Sequence, residues 1–298
     1  MTAIRHHAAL LAVALLAPVA ARAEGVGLRH LKSIYQDDKE GPLREPEGVA
    51  CDDGGALVVA DTGNGRLLLY RWKDGALSGG KPLKLAQLSY PVRVQIDSKG
   101  NVLVLDRKAR KIGRVSASGE FGGYLDLQGA SGAAPVPASF KLDPSDNAYV
   151  LDVAGARVLV LNGTGAVARE IPLPAGALVT DIAVDAAGRV YAVDAIRASV
   201  WAAEKGATAF KPLGAGLKDR MSFPGYLTVN RGRIFVVDQN GDGLVELGHD
   251  GTYQGRELAL GWTEGLLYYP AQICINGRGE TFVADRQNNR VQIFGATR

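Results

Sequence analysis

Residues Pro46 to Tyr70 read P-E-G-V-A-C-D-D-G-G-A-L-V-V-A-D-T-G-N-G-R-L-L-L-Y. A short apolar run ends in Asp52, and an acidic glycine turn follows. A second apolar run then closes on Asp61, and a third begins at Arg66. Short β-prone runs bounded by Gly and Asp turns predict strands that fold back on one another. The pattern returns at Pro270 to Phe294 as P-A-Q-I-C-I-N-G-R-G-E-T-F-V-A-D-R-Q-N-N-R-V-Q-I-F. It occurs four more times in between. The closing acids are Asp61, Asp106, Asp152, Asp194, Asp238 and Asp285, spaced by 45, 46, 42, 44 and 47 residues. The unit opens with Pro46, Pro91, Pro137, Pro224 and Pro270, and with Val179 in the fourth copy.

Hairpin signals follow the third run, at Asp74-Gly75, Ser118-Gly119, Asn162-Gly163 and Asp250-Gly251. They predict a fourth strand, as in Leu83–Leu88 and Tyr253–Leu260. Four strands per unit, six times over, describe an all-β, six-bladed propeller with four-stranded blades. The sixth unit stops after its third strand, at Phe294, and a strand-like run, Leu28–Tyr35, precedes the first. That run is expected to complete the last blade and close the ring, because an open sheet edge invites aggregation.

Composition agrees. Of 298 residues 38 are glycine, about twice the usual share, as many tight turns require. Residues 1–23 read as a cleaved secretory signal: Arg5, an apolar run from Ala8 to Ala20, then Ala21-Arg22-Ala23. The run is too short for a membrane anchor. The expected mature chain is a single domain, residues 24–298, periplasmic or secreted, with no membrane span. Cleavage removes Arg5 and Arg22 and no acid, taking the net charge from +3 to +1. Such a near-neutral chain argues against nucleic-acid binding. Cys51 and Cys274 fall on opposite faces of equivalent strands in blades that adjoin across the closure. They can pair only if their Cα atoms come within about 7 Å; two buried thiols are the alternative.

The unit resembles the NHL repeat, with Pro46–Arg66 and Pro270–Phe294 fitting best. Blade four departs at Val179 and Ser199, and blade five at Gly243. The resemblance implies a propeller and leaves function open, since this fold hosts many activities. Related propellers include amidating lyases with a histidine-held zinc and gluconolactonases with a divalent ion held by Glu, Asn and Asp. Only His30 and His249 lie beyond the signal, so a three-histidine zinc site is excluded. The channel ring, two residues past each opening position, reads Gly48, Arg93, Ser139, Asp181, Tyr226 and Gln272. An arginine in it disfavours a hard cation.

The recurring aspartates read as turn acids that bind backbone amides and pair with the following arginine. Function is expected where the repeats differ. Arg93, Asp181, Tyr226 and Gln272 of the ring, with Arg107, Lys108, Arg110 and Arg286 of the loops, form the candidate binding face. Its basic rim suits a protein partner of acidic character. A saccharide stacked on Tyr226 is a further reading. Asp238, Asn240 and Asp242 match the start of a calcium loop, D-x-N-x-D-G, although His249 stands at position twelve. Calcium is the one cofactor the sequence suggests, against a plain hairpin turn at the same residues. No catalytic motif is found, so the sequence favours an exported, non-catalytic protein-binding scaffold. The alternative is a metal-dependent lyase or hydrolase acting in the channel through Glu47 and Asp181.

Overall fold

The computed structural model describes residues 27–297; the expected signal, residues 1–23, lies outside them. The chain begins with β1 (Leu28–Ile34). Blade one is β2 (Gly48–Cys51), β3 (Ala56–Asp61), β4 (Arg66–Lys73) and β5 (Ala76–Leu83). Blade two is β6 (Pro91–Ile96), β7 (Val102–Asp106), β8 (Lys111–Val115) and β9 (Phe121–Tyr124). Blade three is β10 (Pro137–Leu142), β11 (Ala148–Asp152), β12 (Arg157–Leu161) and β13 (Val167–Pro172). Blade four is β14 (Val179–Val184), β15 (Val190–Asp194), β16 (Ser199–Ala203) and β17 (Lys211–Leu213). Blade five is β18 (Pro224–Asn230), β19 (Arg233–Asp238), β20 (Gly243–Leu247) and β21 (Tyr253–Glu257). Blade six is β22 (Pro270–Ile275), β23 (Thr281–Asp285) and β24 (Arg290–Ala296), with β1 as its outer strand. The chain is therefore an all-β, six-bladed propeller of four-stranded antiparallel blades.

The second strand of a blade is covered on both faces by neighbouring blades. It is accordingly buried throughout rather than alternating, and largely apolar up to its closing Asp: every residue of β7, β11, β15 and β23 is buried. The core is thus a ring of interblade layers. One of them packs Val49, Leu57 and Leu68 of blade one against Phe282, Val291 and Ile293 of blade six.

Three strand bounds differ from expectation, the first being β1, which ends at Ile34 rather than Tyr35. The fourth strand of blade one is Ala76–Leu83, because Asp74-Gly75 closes a two-residue hairpin that pairs Lys73 with Ala76. Both turn residues have positive φ, 52° and 80°, as that hairpin requires. The fourth strand of blade five ends at Glu257, because Leu258 turns into the left-handed region at φ 63°.

The ring is closed twice. Strand β1 pairs with β24 from Leu28↔Ala296 to Ile34↔Val291 and covers that edge. At the inner end, Cys51 of β2 and Cys274 of β22 form a disulfide with Cα atoms 5.9 Å apart. Of the two states open to these cysteines, the structure adopts the bond.

Candidate active site at the channel mouth

In blades two to six the opening residue is followed by an irregularity in strand pairing. It falls at Pro91/Arg93, Pro137/Ser139, Val179/Asp181 and Pro224/Tyr226, and between Pro270 and Ile273. A bulge bends its strand and re-aims a side chain. It sets the ring residues apart from the regular alternation.

Three blades are locked together across the channel. Asp181 of blade four accepts from the amide of Leu227 in blade five at 2.7 Å and from the hydroxyl of Ser139 in blade three. Lys141 of blade three lies 3.1 Å from the same carboxylate and donates to the Leu227 carbonyl at 2.8 Å. Its ammonium sits 3.4 Å from the centroid of the Tyr226 ring. Ser139, Lys141, Asp181 and Tyr226 are all buried. Lys141 occupies the Tyr226 ring, so the ring is not free to stack a saccharide. Lys141 was not singled out from the sequence. Its signal was there: the equivalent positions in blades one, four and six are Ala50, Ala183 and Cys274.

Gln272 spans blades. Its amide donates to the Val94 carbonyl at 2.8 Å and accepts from the Val94 amide at 3.2 Å, joining blade six to blade two. Gly48 of the intervening blade makes this reach possible. A Cβ there would lie 2.9 Å from the Cβ of Ala60 and 3.3 Å from Gln272 Oε1.

Above these braces lies a concavity of about 380 Å³, lined by Arg93, Arg107, Arg110, Val136, Val153 and Phe223 among others. Glu47, buried beside it, is gripped by Arg107 through Nη1–Oε1 at 3.2 Å and Nη2–Oε2 at 2.8 Å. Arg286 stands 3.6 Å from Glu47 and 3.7 Å from Glu45. Arg93 donates to the Val92 carbonyl at 3.1 Å, and its buried Nε has no hydrogen-bond partner.

Most of the repeat acids hold an arginine. Asp61, Asp152 and Asp285 hold Arg66, Arg157 and Arg290 at 2.6, 2.9 and 2.7 Å. Asp194 recruits Arg197 in place of the missing repeat arginine, and Asp238 recruits Arg256. Asp106 differs. Its register partner is Lys111 rather than an arginine; it accepts from the amides of Tyr90 at 2.6 Å and Ala109 at 2.7 Å, and Arg110, at the left-handed turn position before Lys111 with φ 55°, is exposed and lines the concavity. Environment divides these acids. Burial pushes the Asp285 carboxyl up despite its donors. For Asp194 burial pushes the same way, but Arg197 and three amides pull harder and hold it below the usual range.

The predicted face is thus partly assembled. Arg93, Arg107 and Arg110 meet at one concavity. Arg286 turns to Glu45 and Glu47. Asp181, Tyr226 and Gln272 lie buried in braces below, and Lys108 is exposed outside the cavity lining.

The residues proposed for metal binding do not fit a cation. Asp238 accepts from the amides of Ser222 and Phe223 and faces Arg256 at 2.9 Å. Asp242 accepts from the Tyr269 amide at 2.6 Å, and Asn240 is exposed. A calcium ion needs those oxygens, and an arginine already neutralises one carboxylate. Glu47 and Asp181 are likewise ion-paired, with Arg107 and Lys141. Among the described residues, no group of three or more His, Cys, Asp and Glu side chains could hold a metal ion. No helix there is long and apolar enough to cross a membrane.

The NHL repeat family matches residues 43–68. A comparison with curated proteins finds no match. Solved structures similar to this chain include lyases and gluconolactonases by their descriptions, and a nidogen/laminin complex. A streptogramin B lyase matches with TM-score 0.67 at 14% identity, over 91% of this chain and 97% of that one. A virginiamycin B lyase from Staphylococcus aureus matches with TM-score 0.65 at 14% identity, over 89% and 99%. A gluconolactonase from Xanthomonas campestris matches with TM-score 0.70 at 16% identity, over 93% of each chain. At these identities the likeness establishes the fold. It also corrects the expectation of a non-catalytic protein-binding scaffold, since these lyase and gluconolactonase structures favour the alternative, an enzyme working at the channel. That expectation leaned on the lack of a catalytic motif. A propeller gathers its site from separate blades, so no local motif need exist.

Proposed function

We propose that this protein is a lyase or hydrolase that opens a small lactone-bearing or related substrate at the upper mouth of the channel. The observation that carries this reading is the arginine concavity, where Arg110 is exposed and Arg93 keeps an unpartnered buried Nε. In hydrolysis, water adds to the lactone carbonyl; negative charge gathers on the carbonyl oxygen and then on the ring oxygen as its bond to that carbon breaks, and the proton given up by the water passes to the released alkoxide. Guanidinium groups fixed beforehand at that point stabilise the charge as it develops. Arg93 and Arg110 supply that stabilisation. Glu47 positions Arg107 through two parallel bonds and keeps it at the rim. The chemistry runs on this chain's own cations, because Glu47 and Asp181 are both spoken for by basic side chains. His30 lies on the outer strand β1 and His249 in a turn after β20, so neither histidine serves the mouth. The disulfide between Cys51 and Cys274 supports an oxidising, extracytoplasmic compartment.

The test is kinetic. On the lactone turned over fastest, Arg110→Ala and Arg93→Ala are each expected to lower kcat/KM by about 10²-fold or more. Both should leave the melting temperature within a few degrees of the parent. Unchanged kcat/KM in both variants would remove the concavity from the reaction.

A further inference from the structure

The layer between blades five and six departs from the others. In four blades the residue after the repeat arginine position pairs with an apolar residue of the fourth strand: Leu67 with Leu83, Val158 with Ile171, Val200 with Leu213 and Val291 with Ile34. All of these pack in interblade layers. Blade five pairs Leu244 with Glu257 instead. Two residues further along the third strand, Leu69, Val160, Ala202 and Ile293 are again apolar and packed in those layers, and blade five carries Glu246. Leu244 packs with Ile273, Val283 and Phe294 of blade six. Alternate residues of a strand share a face, so Glu246 turns the same way. The apolar filling is missing there, and a cavity of about 350 Å³ takes its place. Leu28, Phe235, Leu244 and Ile275 wall it, and both carboxyl side chains line it. It shares no lining residue with the arginine concavity. Its volume suits a small molecule.

The charges lining the cavity decide which kind. Arg233 pairs with Glu246, which is buried. Arg278 pairs with Asp74 at 3.0 Å, and Arg231 donates to the Gly277 carbonyl. All three arginines are exposed and already engaged at the mouth. Glu257 is half-buried and has no basic partner among the described residues; the Leu28 amide donates to it. Burial pushes its carboxyl up, and the nearby Glu246 adds to the push. A carboxylate held in apolar walls without a counter-ion is relieved by a cation. A metal ion is not the match, since a hard cation needs several oxygens, and among the described residues no group of acids could hold one. The apolar walls suit an organic ammonium, and the Phe235 ring attracts the same charge. An apolar carboxylic acid would meet two acids and no uncommitted arginine.

We propose that this interblade cavity binds a small organic ammonium ion, its charge on Glu257 and its apolar body against Leu28, Phe235, Leu244 and Ile275. The experiment titrates the purified protein with phenethylamine and hexylamine, by calorimetry and ligand-observed NMR. Phenethyl alcohol and hydrocinnamate, similar in shape but neutral or anionic, run beside them. At least one amine should bind saturably at millimolar concentration or below, and both controls about tenfold more weakly or worse. Glu257→Gln keeps an acceptor for the Leu28 amide, so it should melt with the parent. It should bind the amine about tenfold less tightly or worse. No binding of either amine overturns the site. So does a control that binds as tightly as the amines, or a Glu257→Gln protein that binds them like the parent. None of these readouts depends on turnover, so the proposed enzyme activity and this site stand or fall separately.

Discussion

Asp181→Ala should cost the fold about 3–5 kcal/mol, because it strands a buried charge. The carboxylate is the counter-ion of Lys141, and neither side chain is reachable by solvent. Without it the ammonium keeps only the Leu227 carbonyl and the face of Tyr226. The Leu227 amide and the Ser139 hydroxyl lose their acceptor too. For a chain of this size such a loss lowers the melting temperature by about 10 °C. Asp181→Asn keeps an acceptor oxygen and should fall between. The double variant Asp181→Leu with Lys141→Met removes both charges and should recover most of the loss. Thermal melts of the four proteins decide this. A single variant as stable as the parent would mean that the brace does not hold blades three to five together.

Breaking the closure disulfide should be comparably costly. The bond spans 223 residues of sequence, and constraining so long a loop in the unfolded chain is worth about 5 kcal/mol in the chain-entropy account. Cys51→Ser with Cys274→Ser should therefore also melt about 10 °C lower. The ring should still close, because β1 continues to cover β24. Reduced parent protein should match the variant. A melting temperature unchanged by either treatment would show that the strand clasp alone carries closure.

How much of this could be read beforehand depended on distance along the chain. The interval from Pro46 to Asp61 is local, recurs, and fixes two strands and a turn at a time; that was enough for the whole propeller. The missing fourth strand after Phe294 and the spare run at Leu28 pointed to one another for the same reason. What lay across the ring was not legible. The reach of Gln272 to Val94 depends on Gly48 having no side chain, and these three residues are far apart in sequence. Lys141 belongs to blade three, but its partners Asp181 and Leu227 belong to blades four and five. Spacing sets Lys111, not Arg110, at the repeat position of blade two; that Arg110 turns to the concavity shows only in the fold. The concavity exists because side chains from several blades converge, and a linear reading had weighted charge without knowing which cations were already paired.

The central claim is that this propeller is an enzyme whose site is the arginine concavity. It is tested most directly by incubating the purified protein with gluconolactone, further lactones and streptogramin B, following ring opening by pH-stat and mass spectrometry. The account predicts saturable turnover of at least one of them, lost in the Arg93→Ala/Arg110→Ala double variant that remains folded. Turnover that persists unchanged in the double variant, or no turnover of any compound by folded protein, would contradict it.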